Sequence, residues 1–144
     1  MPFLRIAPIC NGKIYVAPRS YQGEEPGKLD IPMEDYIYAC KTDTDKYAKE
    51  VENKYSNHIT GQPEPRFSLK HLVKETNGVK KTIMLYILPL NDEEQIHFTG
   101  GKFVTPEEIE MNSAQYSSFL KEEIDHLNIV TQMWRNLNEY LLSH

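Results

Sequence analysis

Residues 79–90, VKKTIMLYILPL, constrain the fold most. Their centre, IMLYIL, is an unbroken apolar run too short for a buried helix and rich in β-formers. It predicts a strand covered on both faces, in the middle of a sheet. Asn77-Gly78 stands just before it and suits a tight hairpin turn, because both residues tolerate positive φ. On the other side of that turn, RFSLKHLVKET alternates apolar and polar residues as a half-solvated antiparallel partner does. A sheet is therefore fixed before any other element is considered.

The remaining elements arrange themselves around it. FLRIAPI and KIYVA flank Asn11-Gly12 and predict a second hairpin, with Pro8 at a strand end or edge because it lacks a ladder N–H. SYQGEEPGK is a loop. Residues 29–33 form a brief strand, and residues 36–40 another. Lys41-Thr42-Asp43-Thr44 opens a helix over about residues 45–55, with Tyr47, Ala48, Val51 and Tyr55 on its inner stripe. Short strands at 96–98 and 102–104 flank a bend at Thr99-Gly100-Gly101. Thr105-Pro106-Glu107-Glu108 is a helix start. A long helix over about residues 114–142 carries Tyr116, Leu120, Leu127, Val130, Trp134, Leu137 and Leu141 on one stripe, widened by Ile124 and Ile129. The order is that of a single α+β domain over residues 1–144, a mixed or antiparallel sheet between helical layers.

A net charge of −5 argues against a nucleic-acid polymer as partner. Two cysteines, Cys10 and Cys40, are too few for a disulfide framework and read as reduced thiols. MPFLRIAPIC is no signal peptide, and no stretch approaches the ~20 apolar residues that span a bilayer. The expectation is a cytoplasmic protein with no membrane association. The five histidines show no zinc-ligand spacing, and Gly100-Gly101-Lys102 is no phosphate loop.

In order and local pattern the chain resembles the Nudix family. NGKIYVAPRS is similar to that family's opening strand, and LDIPMEDYI to the strand that usually reads w-x-x-P-G-G-x-v. TDTDKYAKEVENKY is similar to the helix that usually reads A-x-R-E-x-x-E-E-x-G. FTGGKFVTPEEI resembles the late segment where a strand leads into a short helix. The likeness spans most of residues 3–125. It implies a Nudix-like fold with a long C-terminal helix added. It also implies Mg²⁺ held by helix carboxylates, bridging a diphosphate and activating water, if the chain is catalytic.

The family's signature is damaged here. Lys49, Glu50 and Val51 stand where Arg, Glu and an aliphatic residue are usual, but the Glu pair falls on Asn53-Lys54 and the closing Gly on Ser56. At strict spacing the upstream Gly and Glu become Asp35 and Lys41. An ammonium where a cation would sit costs on the order of 1–4 kcal/mol at ~4 Å. The resemblance therefore implies a protein that binds a nucleotide, another phosphorylated small molecule or a protein partner without efficient hydrolysis. The alternative is an active divergent hydrolase with Glu34, Glu50 and Glu52 as catalytic acids, Glu34 and Glu50 holding the metal. Arg19, Lys49, Lys54 and Arg66 are the candidate ligand-binding cations. Glu107, Glu108 and Glu110 are candidates for a late-loop base, set against a plain role as helix-start acids. The stripe of the last helix, with the chain's only Trp, also suits an interface with a second copy.

Overall fold

The IMLYIL run lies in an interior strand of the sheet. The computed structural model describes residues 3–36, 44–74, 78 and 80–143. Within them, β1 (Phe3–Cys10), β2 (Lys13–Pro18), β3 (Leu29–Asp30), β5 (Arg66–Lys74) and β6 (Lys80–Pro89) run side by side in the order β3-β2-β1-β6-β5. β4 (Met33–Tyr36) adds to β1, and β7 (Lys102–Val104) to β2. The β1–β6 pair is parallel and all others are antiparallel, so the sheet is mixed. Ile83, Leu85, Tyr86, Ile87 and Leu88 of β6 are each at most 1% exposed, as a strand covered on both faces requires.

One face carries Ala7, Ile9, Ile14, Val16, Leu85 and Ile87 and packs on helices α2 (Pro106–Met111) and α3 (Ser118–Ser143). The other carries Leu4, Ile6, Met33, Tyr86 and Leu88 and packs on α1 (Thr44–Lys54) through Ala48 and Val51. Tyr47 and Tyr55 join that second layer at its margin, as their place on the α1 stripe predicts. Thr105 caps α2, accepting from the Glu108 N–H at 3.2 Å, with Pro106 in the first turn.

Four expectations need correction. Pro8, expected at a strand end or edge, lies two residues before the end of β1, which is an interior strand. Ile9 turns its backbone to β6, accepting from Leu90 N–H at 2.9 Å, so Pro8 points the other way. There the partner of β1 changes from β4, beside residues 3–6, to β2, beside residues 9–10, and a missing donor interrupts no ladder. The single strand at 29–33 is two, β3 and β4, each paired with a different neighbour. Residues 96–98 make only an isolated bridge, Ile59 to Ile96. The last helix begins at Ser118, because residues 113–115 form a 3₁₀ turn and Tyr116 is extended. Ser117 Oγ accepts from Leu120 N–H at 3.1 Å and sets that start. Of the strand expected at residues 36–40 only Tyr36 is described, as the last residue of β4, and of the turn expected at 41–44 only Thr44, the first residue of α1; residues 37–43, Cys40 among them, and Asn77 lie outside the described residues.

Candidate functional site

Arg5 is the one charged residue in the interior run FLRIAPIC, and it is completely buried. It shares the α3-facing side of β1 with Ala7 and Ile9, since alternate residues face one way. Glu34 of β4 stands directly opposite in the antiparallel pair. Asp30 closes β3, and Glu123 comes from the second turn of α3. Both are at most 1% exposed.

All five N–H groups of the Arg5 guanidinium are used. Nε donates to Glu123 Oε2 and Nη2 to Glu123 Oε1, both at 2.8 Å. Nη2 also donates to Asp30 Oδ1 at 2.6 Å, and Nη1 to Asp30 Oδ2 at 3.2 Å. The fifth N–H reaches Glu34. Arg19, just after β2, completes the group: Nη1 donates to Asp30 Oδ2 at 2.5 Å and to Glu34 Oε1 at 3.2 Å. The Phe119 ring lies 5.3 Å from each guanidinium carbon, so both cations also meet an aromatic face. Burial alone would lower the pKa of Arg5, but Asp30, Glu123 and Glu34 together raise it well above its usual value. Burial raises the Glu34 carboxyl, and the Arg5 guanidinium opposes this. Two guanidinium charges face three carboxylates, so the cluster carries one excess negative charge when all are ionised.

Arg19, Asp30 and Glu34 form one wall of a cavity of about 500 Å³. Tyr55, His58 and Phe98 form the other. Tyr55 Oη donates to the Glu34 carbonyl at 3.0 Å and so ties α1 to β4. His58 is exposed and stacks on Phe98, with ring centroids 4.0 Å apart and planes 8° from parallel. Its Nδ1 lies 2.9 Å from the His97 carbonyl and donates to it, which fixes the ring's orientation. Phe98 is held in turn by Tyr15, whose Oη accepts from Phe98 N–H at 2.8 Å.

Of the seven sequence-level candidates, only Arg19 and Glu34 meet in this cavity. Glu50 is exposed on α1. Glu52 is buried beside a smaller cleft, where Lys49 Nζ donates to it at 3.2 Å and to the Pro63 carbonyl at 3.3 Å. Asn53 lines that same smaller cleft. Lys54 is paired with Asp35 at the surface, and Arg66 is exposed at the start of β5. Glu107, Glu108 and Glu110 are exposed on α2.

The resemblance implied Mg²⁺ on Glu34 and Glu50, and the donor set does not fit it. Glu34 gives both oxygens to arginines, and Glu52 answers Lys49 in another cleft. Among the described residues no three His, Cys, Asp or Glu side chains converge as metal ligands. Arg5, Asp30 and Glu123 were missed by sequence reading. Their signal was there: Arg5 interrupts an apolar strand face, and Glu123 falls within the apolar stripe of α3, between Leu120 and Leu127.

The strand order, the helices on both faces and the long final helix make this a Nudix fold. RenU, a Nudix hydrolase from M. smegmatis, superposes with a TM-score of 0.62 at 13% identity, over 92% of this chain and 85% of that one. The E. coli dihydroneopterin triphosphate pyrophosphohydrolase gives 0.58 at 13% identity, over 89% and 94%. The C-terminal domain of mouse MUTYH, solved in complex with human PCNA, gives 0.59 at 14%, over 91% and 88%. At these identities the likeness is one of fold. No family model matches the sequence, and neither does any curated protein. Among the described residues no helix is long and apolar enough to cross a membrane.

Proposed function

We propose that this single domain binds a nucleotide, or a related phosphorylated small molecule, in the cavity between Arg19 and the His58–Phe98 stack, without hydrolysing it efficiently. The observation that carries this reading is the arginine–carboxylate cluster. Glu34, the one metal candidate that lines the cavity, gives its oxygens to Arg5 and Arg19, and the helix that would carry the family's Glu pair has Asn53 and Lys54 in its place. The outer face of the His58 ring offers a stacking surface to a base. Arg19 can turn a donor to a phosphate without stranding Asp30, because Arg5 still holds that carboxylate.

A phosphate arriving beside Glu34 meets like charge, so binding favours the protonated carboxyl. The expected result is proton uptake on binding, and affinity that rises as the pH falls toward the raised Glu34 pKa. Titration calorimetry with a panel of nucleoside diphosphate derivatives, in two buffers of different ionisation enthalpy, measures both. Arg19→Ala should weaken binding by about tenfold or more, as loss of a charge-assisted hydrogen bond predicts. Equal affinity in that variant contradicts the site. Metal-dependent turnover abolished by Glu50→Gln would establish the divergent hydrolase instead.

A second reading concerns partners. Ile129, Met133, Leu137 and Tyr140 recur at spacings of four, four and three on α3, and each is 45–60% exposed. We infer that this outer stripe seats a second copy of the chain. Sedimentation at two concentrations should show a dimer that dissociates on dilution, and a monomer throughout removes the proposal.

A further inference from the structure

Residues 19–28 join β2 to β3 and are held at three levels. At the base, Arg19 N–H donates to the Lys28 carbonyl at 2.8 Å, and Gly27 N–H to the Arg19 carbonyl at 3.1 Å. Higher up, Arg19 Nε donates to the Glu24 carbonyl at 2.8 Å. Next to it, the Glu25 carboxylate reaches across to the first residue of α3, accepting from Ser118 N–H at 3.0 Å and from Ser118 Oγ at 2.8 Å. Ser118 N–H is one of the first-turn donors a helix cannot satisfy by itself, and a carboxylate there also meets the positive end of the helix dipole. Glu25 makes the contact from a left-handed backbone, φ +48°, which a residue with a β-carbon holds only where its surroundings impose it.

These contacts bear on the ligand cavity. Arg19, Ser20 and Gly23 line it, and Glu25 is outside that lining. Arg19 Nη1 is given to Asp30 and Glu34, and Nε to the Glu24 carbonyl, so the guanidinium is gripped by the acids and by the loop. Among the described residues none accepts from Nη2, and its two N–H groups are the ones left for a ligand. Arg5 fixes the acids independently of the loop. The Glu24 carbonyl is carried by the loop, and the neighbouring residue is where the loop is fastened to α3. Lys28 adds a second fastening near the base, to the Ala114 carbonyl.

We propose that Glu25 is a positioning residue for ligand binding: by fastening the loop to α3 it holds Arg19 with Nη2 presented to a phosphate. This role rests on the nucleotide reading of the cavity. Heteronuclear NMR can follow hydrogen exchange at the arginine Nε–H groups, with buried Arg5 as internal reference, and calorimetry can follow ADP binding. Glu25→Ala keeps a β-carbon at the same φ and removes the carboxylate alone. It should speed exchange at Arg19 Nε–H by about tenfold, leave Arg5 Nε–H as it was, and weaken ADP binding several-fold. A general loosening of the fold would speed Arg5 as well. Glu25→Gln can still accept from Ser118 N–H, and should bring both quantities back to within about threefold of the parent. Unchanged exchange at Arg19 in Glu25→Ala, faster exchange with full ADP affinity, or no rescue by Glu25→Gln would each overturn the proposal. Arg19→Ala tells this failure from that of the underlying reading. ADP that binds parent and Arg19→Ala equally, or neither, shows that the nucleotide reading itself has failed, and Glu25 then positions nothing.

Discussion

Arg5→Leu should cost about 3–5 kcal/mol. The reason is what the change leaves behind. Asp30 and Glu123 are buried, and Glu34 is mostly so, and all three lose the cation at their centre. Arg19 still reaches Asp30 and Glu34 and offsets part of the loss there. On the usual scale for a chain of this size, the melting midpoint should fall by roughly 10–20 °C. The pH dependence has a definite sign. Burial already raises the Glu34 carboxyl, and removing Arg5 takes away the guanidinium that opposes this. The variant therefore recovers stability as the pH falls through that raised value toward about 4, where unfolded carboxyls protonate. Thermal melts of parent and variant across that range measure it. A variant that melts like the parent at neutral pH contradicts the account of the cluster.

Gly101→Ala should also be damaging, at about 2–5 kcal/mol. No backbone strain is involved, since the positive φ belongs to Gly100. Space is the cause: a Cβ at residue 101 would lie 1.9 Å from Tyr15 Oη and 2.3 Å from its Cζ. Tyr15 is 4% exposed, packs edge-on against Phe103 at 5.0 Å, and exchanges hydrogen bonds with the backbone of Phe98. It cannot yield without releasing Phe98, on which His58 stacks. The variant should thus lose ligand affinity as well as stability. Denaturant unfolding and the calorimetric titration together check this, and a stable variant with full affinity would show that Tyr15 does not hold that wall.

Much of the fold was legible because it rests on periodicity and turn chemistry. IMLYIL declared an interior strand, and Thr105-Pro106 declared a helix start. The stripe of α1 named its own inner face, and all three meet the structure as read. Pro8 misled because an interior strand can tolerate proline where its neighbour changes, and sequence does not show where β4 gives way to β2. The outer part of α3 misled for a related reason. Leu137 and Leu141 continue the apolar period, but the helix outruns the sheet, and they are 45% and 63% exposed.

The site was less legible. A family pattern directs attention to the helix that normally carries the metal ligands, and here the described lining of the large cavity takes only Tyr55, just past that helix's end, from this part of the chain. The charges that matter come from β1, the end of β2, β3, β4 and α3, brought together from positions as far apart as residues 5 and 123. Only topology joins them. A single charged residue within an apolar face, as at Arg5 and again at Glu123, is the local sign that could have led there.

The central claim is that the acids at this site are committed to arginine and not available to a divalent cation. Release of phosphate or nucleoside monophosphate from a panel of nucleoside diphosphate derivatives, followed with Mg²⁺, with Mn²⁺ and with excess chelator, tests it most directly. The account predicts the same negligible rate in all three conditions, with calorimetric binding unaffected by the chelator. Sustained turnover that requires the metal and disappears with the chelator would contradict it.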